Sequence, residues 1–110
     1  MTPIASANYV GVDQRVSPRT DVYSRVAVTL PDARMVMATI VNISADGLLL
    51  RYDATLAIGE MCHLSLPVLG KTPATVIWSV GGRTGLNFIE QVEERDYMPL
   101  LRALGARLEG

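Results

Sequence analysis

Two arginines near the start of the chain have the spacing of an anion clamp. Arg15 and Arg19 are separated by three residues, the last of which is Pro18. Proline fixes its own backbone angle and disfavours a helix at the residue before it, so this segment is predicted to be extended or turned. A guanidinium group is planar and permanently charged, and it can grip phosphate oxygens with two hydrogen bonds or lie flat on a base. The pair therefore predicts a site that holds a phosphate-bearing ligand from two sides.

A second polar cluster follows a run of apolar residues. Asn42, Ser44 and Asp46 alternate with apolar residues and are followed by Gly47. In an extended chain the three polar side chains share one face, and glycine then lets the backbone turn. Such side chains could hydrogen-bond the edge of a base, or they could serve the turn alone by bonding nearby backbone amides. The pattern predicts a corner between two strands, and the sharper hypothesis places Arg15 and Arg19 beside it.

The two arginines also fit a simpler interpretation. They could lie on a solvated arm and meet Asp13 and Asp21, which flank them in the sequence. Exposed charges near a chain terminus commonly contribute little. The sequence leaves both interpretations open at this point.

The sequence gives little support for catalysis or metal binding. Cys62 is the only cysteine, which rules out an internal disulfide and a cysteine-rich metal set, and favours a reducing compartment. His63, the only histidine, follows it directly. Neighbours on a strand project to opposite sides, so these two residues are not expected to form a catalytic dyad. We predict no catalytic residue, no metal ligand and no cofactor, and hence a protein that is not an enzyme.

Size and charge limit the class of protein further. A chain of 110 residues is predicted to form one domain. Its formal charge of −1 gives no overall attraction for nucleic acid or for an anionic membrane, so any anion site must be local. Met1 to Val10 lack the pattern of a signal peptide, and no apolar run is long enough to span a membrane. A soluble, cytoplasmic protein without membrane insertion is expected.

The pattern of apolar residues predicts an all-β domain. Residues 1–14 show no periodicity and are expected to form a flexible tail. Strands are predicted at about 22–30, 35–43, 48–52, 61–66, 75–80 and 85–89. Six short strands with no helix between them can remove their exposed edges only by closing on themselves. We therefore predict a six-stranded antiparallel β-barrel over about residues 21–90.

The last part of the sequence changes to a helical period. Leu100, Leu101, Leu104 and Leu108 recur at spacings of three and four. Pro99 suits the first turn of a helix, so a C-terminal helix is predicted over about residues 97–108. Its apolar stripe could cap one end of the barrel or meet a partner.

Both motifs resemble those of one known family. The segment from Arg15 to Arg19 resembles the RxxxR element of the PilZ domain family, and the segment from Asn42 to Gly47 resembles its (D/N)xSxxG element. The order of the two motifs is also that of the family. Residues 74–78 and 85–88 are similar to its late strands, so the resemblance runs from about residue 14 to about residue 104. Residues 15–110 are therefore identified as a single PilZ-like domain.

The resemblance implies a receptor for bis-(3′-5′)-cyclic dimeric GMP (cyclic di-GMP), a bacterial second messenger. Arg15 and Arg19 would grip its phosphates and guanine faces. Asn42, Ser44 and Gly47 would line the base pocket, with Gly47 letting the ligand approach the backbone. Binding would order the segment that carries Arg15 and Arg19, here called the leader, over the barrel. This would signal to a downstream effector protein or through a homodimer. Gln14 stands where many members of the family have a further arginine.

Two alternatives to a nucleotide receptor remain open. The first is a PilZ-like adaptor that binds proteins and no nucleotide, although such members typically lack one of the motifs retained here. The second is a small barrel that binds single-stranded nucleic acid. The pI of about 5.7 disfavours this second alternative. The aromatic residues are also few, one Trp, four Tyr and one Phe, and they offer no evident stacking platform.

Overall fold

The chain folds into a closed antiparallel barrel of six strands followed by one helix, which confirms the predicted fold class. The computed structural model describes residues 18–106. The strands are β1 (Thr20–Thr29), β2 (Met35–Ile43), β3 (Gly47–Arg51), β4 (Met61–Leu66), β5 (Gly70–Val80) and β6 (Arg83–Phe88). Their order around the barrel is β1-β2-β3-β6-β5-β4, and β4 returns to pair with β1. The predicted tail and Arg15 lie outside the described residues.

Alternating side chains build the core, as the two-residue period requires. In β1, Val22, Val26 and Val28 point inward while Arg25 is exposed. The other strands and the helix contribute the remaining apolar residues of the interior. The fully buried members with the largest side chains are Ile40, Ile43, Leu48, Leu50, Leu64, Leu86 and Leu100.

The β1–β4 seam is the shortest ladder of the barrel. Only two residue pairs join these strands, Val28 with Leu64 and Thr29 with His63. The β1–β2 ladder, by contrast, has eight pairs. Closure of the barrel therefore depends on a narrow contact.

Strand β5 begins at Gly70, five residues earlier than the predicted start near Thr75. Pro73 in the sequence favours a strand that starts after it, because proline cannot donate to a ladder. In the structure the carbonyl oxygen of Pro73 accepts a hydrogen bond from the backbone N–H of Ile89, at 3.1 Å. The nitrogen of Pro73 points to the same side as its carbonyl oxygen, toward Ile89 and away from β4. The hydrogen that proline lacks therefore costs no hydrogen bond between β5 and β4.

The C-terminal helix, α1, spans Glu94–Ala103, so the prediction of residues 97–108 was wrong at both ends. Glu94 and Asp96 occupy the first turn, where negative charge is favourable, and Pro99 lies inside the helix. The carbonyl of Arg95, which would otherwise accept from residue 99, belongs to an exposed residue and can bond water.

Gly105 ends the helix in a left-handed conformation with φ of +83°. The N–H of Gly105 donates to the carbonyl of Arg102, and the N–H of Ala106 donates to that of Leu101. These two bonds form a Schellman motif, which satisfies the last carbonyls of a helix. The leucine spacing had suggested a helix that continued past this glycine.

Helix α1 caps the barrel. Leu100, Leu101 and Leu104 are between 0 and 3% exposed and belong to the same apolar cluster as the strands. This helix, the one found in residues 18–106, is neither long enough nor apolar enough to cross a membrane.

Candidate functional site

The corner between β2 and β3 is a tight turn held by its own serine. The backbone N–H of Ser44 donates to the carbonyl of Gly47 at 2.8 Å. The hydroxyl oxygen of Ser44 accepts from the N–H of Asp46 at 3.2 Å and lies 3.5 Å from the Gly47 carbonyl. Ser44 is 3% exposed. Its hydroxyl therefore serves the turn, which was one of the two roles the sequence left open.

Gly47 is required by the neighbouring strand. It pairs with Asn87 of β6, and a Cβ atom at this position would overlap the carbonyl oxygen of Leu86. Gly47 does not have a positive φ. Close approach of two strands is thus a reason for glycine here that the sequence could not reveal, in addition to the predicted access of a ligand to the backbone.

Two β-bulges set the direction of Asn42. In the β2–β3 ladder, Ile40 pairs with Leu50 and Asn42 with Leu49, which leaves Val41 as the extra residue. In the β1–β2 ladder the register shifts between Asp21 and Ser24, at the same level of the barrel. Bulges re-aim side chains, and they increase the local twist of a sheet. As a result Asn42 is half-buried on the outer surface next to the corner.

Arg19 joins the leader to the corner. Its guanidinium Nη1 donates a hydrogen bond of 2.8 Å to Oδ1 of Asn42, across 23 positions of sequence. Arg19 itself is exposed and immediately precedes β1. The second arginine of the RxxxR segment therefore lies beside the NxSxxG turn. Arg15 lies outside the described residues.

The corner is also bonded to the chain that leads into α1. The carbonyls of Ala45 and Asp46 accept hydrogen bonds from the backbone N–H groups of Val92 and Phe88, at 2.9 and 2.8 Å. Nε2 of Gln91 donates to Oδ1 of Asp46 at 2.9 Å. These contacts span more than 40 positions of sequence, and no local pattern pointed to Gln91.

Tyr97 connects the helix itself to the end of β2. Its hydroxyl donates to the carbonyl of Ile43 at 3.2 Å. A groove of about 440 Å³ runs between the leader, the corner and the helix. Its walls include Pro18, Ala45, Gln91, Val92, Tyr97 and Met98. The site is therefore built from three separate parts of the chain.

The chemistry available at the corner is hydrogen bonding and charge. Within residues 18–106, no three His, Cys, Asp or Glu side chains converge to hold a metal ion. Cys62 is fully buried in the barrel, and this burial, with a smaller effect of the charge on Glu60, raises the pKa of its thiol. His63 is half-buried on the opposite side of β4. Cys62 is thus a core residue in the thiol form.

The structure brings together four of the five predicted site residues. Arg19 is bonded to Asn42, and the buried Ser44 and Gly47 form the turn that follows Asn42. Sequence reasoning left Asp46 out of the ligand contacts and missed Gln91 and Tyr97, which fix the corner to α1. The ligand-binding role of Arg15, Arg19, Asn42, Ser44 and Gly47 stays a prediction.

A family model matches most of this chain, and a solved structure shares its fold. The model of the family described as "PilZ domain" matches residues 13–106. A solved structure, that of the Bacillus subtilis inhibitor of motility (MotI/DgrA), is similar with a TM-score of 0.61 and 22% sequence identity. The similarity covers 84% of this chain and 50% of that one, so the chain spans about half the length of that protein. No curated protein sequence is significantly similar.

Proposed function

Because the chain belongs to the PilZ domain family, we propose that it is a receptor that binds cyclic di-GMP and signals this binding to a partner protein. The family match covers both motifs, since it runs over residues 13–106. PilZ domains are binding and adaptor domains and not catalytic domains. The proposed site is the surface shared by the leader and the corner.

The hydrogen bond between Arg19 and Asn42 carries this proposal. It supports a site in which one guanidinium group already lies beside the corner before any ligand arrives. Arginine has five N–H donors, and in the described part of the chain Asn42 is the one acceptor bonded to this side chain. The remaining donors suit the oxygens of a phosphate. We assign the second guanidinium to Arg15.

The ligand fits the groups at the corner in charge and shape. Cyclic di-GMP carries two phosphates and two guanines, which offer charge to arginine and flat polar edges to an amide. Asn42 can donate from its NH₂ group to a guanine edge while its oxygen accepts from Arg19. Ser44 acts through the turn that it holds, and Gly47 keeps the backbone of the corner close to β6.

The signal would pass from the corner to α1. Ligand that moves the corner also moves Gln91 and Val92, because both are bonded to it. Tyr97 gives the helix a further bond to the end of β2. A partner that reads the position of α1 would therefore distinguish the bound from the free protein.

Calorimetric titration with cyclic di-GMP tests the proposal. Each charge-assisted hydrogen bond contributes about 1.5–3 kcal/mol, so Arg15→Ala and Arg19→Ala should each weaken binding at least ~10-fold. Ser44→Ala should weaken it less. We expect the two arginine variants to keep the melting temperature of the wild type, because Arg19 is exposed and Arg15 lies in the sequence before the first predicted strand.

Arg34→Ala is the matched control. Arg34 is an exposed arginine that pairs with Asp32 in the turn before β2, at the far end of that strand from the corner. It should bind the dinucleotide like the wild type. Cyclic di-AMP, with the same phosphate ring and different bases, should bind more weakly. Unchanged affinity in both Arg15→Ala and Arg19→Ala would refute the assignment, and a folded wild type that binds no dinucleotide would favour the adaptor without nucleotide.

A further inference from the structure

Three arginines lie in one row on the outside of the barrel. The register pairs Arg25 of β1 with Thr39, Thr39 with Arg51 of β3, and Arg51 with Arg83 of β6. Arg83 in turn pairs with Val80 of β5. Residues directly opposite one another in antiparallel strands share a face, and all three arginines are exposed. The row therefore places three guanidinium groups on adjacent parts of one surface.

These arginines have no carboxylate partner among residues 18–106. Between residues 18 and 106 the ion pairs are Arg34 with Asp32 and Arg95 with Glu93. Arg51 and Arg83 stand directly opposite each other, and like charges in this position destabilise a sheet. Arg51 and Arg83 therefore destabilise the fold and form no ion pair within the described residues. Such a pair is a candidate for a binding function.

The residues around the row are those of a protein interface. Met37, Trp78 and Val80 are exposed next to it, at 49, 41 and 68%. The indole of Trp78 lies against Gly85, where a Cβ atom would overlap the ring. Arg, Trp and Met are enriched where proteins bind one another. We call Arg25, Arg51, Arg83, Met37, Trp78 and Val80 the arginine face.

We propose that the arginine face docks a partner protein through a surface rich in Asp and Glu. The outside of a closed barrel is convex, whereas small-molecule sites are concave, so the shape favours a macromolecule. The charge elsewhere disfavours nucleic acid, since the chain is acidic overall and places Glu90, Glu93, Glu94 and Asp96 around the start of α1. A compact acidic protein surface needs to meet only the arginine face. Trp78 pairs with Gly85, Gly85 with Leu49 and Leu49 with Asn42, so the arginine face borders the proposed nucleotide site on the same side of the barrel.

The test is an NMR titration of the full chain with an oligo-glutamate peptide. Amide signals of β1, β2, β3 and β6 near the row should shift, and Trp78, the single tryptophan, should change its fluorescence. In the Arg51→Thr/Arg83→Thr variant the affinity for the peptide should fall about 10-fold, as expected for two lost ion pairs. Threonine suits a strand, so this variant should stay folded.

Arg34→Thr/Arg95→Thr is the control with an equal change of charge. Its affinity for the peptide should stay within about twofold of the wild type, because both arginines already have partners. If both double variants bind the peptide equally weakly, the loss of affinity comes from net charge alone, and the proposal is overturned. Shifts that cluster away from the row would also overturn it.

Three further measurements address other occupants. Oligothymidylate or phosphatidylserine vesicles that bind more tightly than the peptide, with the same dependence on Arg51 and Arg83, would replace the protein partner with nucleic acid or membrane. The affinity for cyclic di-GMP is measured in the same variant, Arg51→Thr/Arg83→Thr. If it falls more than the affinity for the peptide does, the row is part of the nucleotide site. Each of these results would overturn the proposal. The proposal is supported if oligothymidylate, the vesicles and cyclic di-GMP each bind more weakly than the peptide or bind independently of Arg51 and Arg83.

Discussion

Replacement of Gly47 by alanine tests how the corner is attached to the barrel. A Cβ atom would overlap the carbonyl oxygen of Leu86, which belongs to the backbone of β6 and cannot rotate away. The two strands would have to separate by on the order of an ångström, which takes a hydrogen bond of ordinary length beyond its range. The bonds at risk are those from Ser44 to Gly47 and from Phe88 to Asp46, both 2.8 Å.

The expected cost follows from these two effects. Overpacking costs about 1–3 kcal/mol, and each weakened hydrogen bond adds about 0.5–1.5 kcal/mol. We therefore expect Gly47→Ala, which puts two hydrogen bonds at risk, to lower the free energy of unfolding by about 2–6 kcal/mol. For a domain of this size that corresponds to a fall in melting temperature of at least ~8 °C.

Thermal and urea unfolding measure this change, with Gly59→Ala as the control. Gly59 has a φ of +92° and open space around its Cβ position, so alanine there meets backbone strain alone, about 1–2 kcal/mol. If Gly47→Ala is no more destabilised than Gly59→Ala, the close approach of β3 and β6 is not what requires glycine. Loss of dinucleotide binding in Gly47→Ala would then have to come from the ligand contact itself.

Three other substitutions give distinct outcomes. Tyr97→Phe removes the hydrogen bond to the Ile43 carbonyl and should cost about 0.5–1.5 kcal/mol in urea unfolding; no change would mean that water replaces the hydroxyl. Arg51→Thr relieves the repulsion from Arg83 and should raise the free energy of unfolding by about 0.2–1 kcal/mol, and a loss of stability would contradict the like-charge argument. Burial raises the pKa of Cys62 in the folded protein. The contribution of its thiol to the free energy of unfolding is therefore complete below the unfolded pKa near 9.0 and is lost as pH rises toward the folded pKa. The stability of the wild type should therefore fall above about pH 9 more steeply than that of Cys62→Ala, and parallel curves would show that the thiol does not titrate differently on folding.

The sequence was sufficient for the barrel because each strand carries its own local signal. Alternation in β1 and the dense β-branched run of β2 decide which faces are buried, and these predictions hold to within two residues at either end. The corner was equally local, since Ser44, Asp46 and Gly47 are turn residues by composition. Six such strands leave closure as the way to remove exposed edges.

What the sequence could not show depends on contacts between distant strands. The overlap at Gly47 involves Leu86, and the bond at Asp46 involves Gln91, so neither has a local pattern. The bulge at Val41 depends on pairing with β3. The end of α1 was different, because Gly105 was a visible stop signal that the leucine spacing outweighed.

The two-pair seam between β1 and β4 makes the barrel easiest to open along one line. The amide hydrogens that bond across this seam should exchange with solvent earlier than others of comparable burial, since a small local opening frees them. Each opening uncovers two strand edges at once, and bare edges recruit other chains into aggregates. A partner or crystal contact that clamps β1 to β4 would therefore protect the protein from aggregation without touching the nucleotide site.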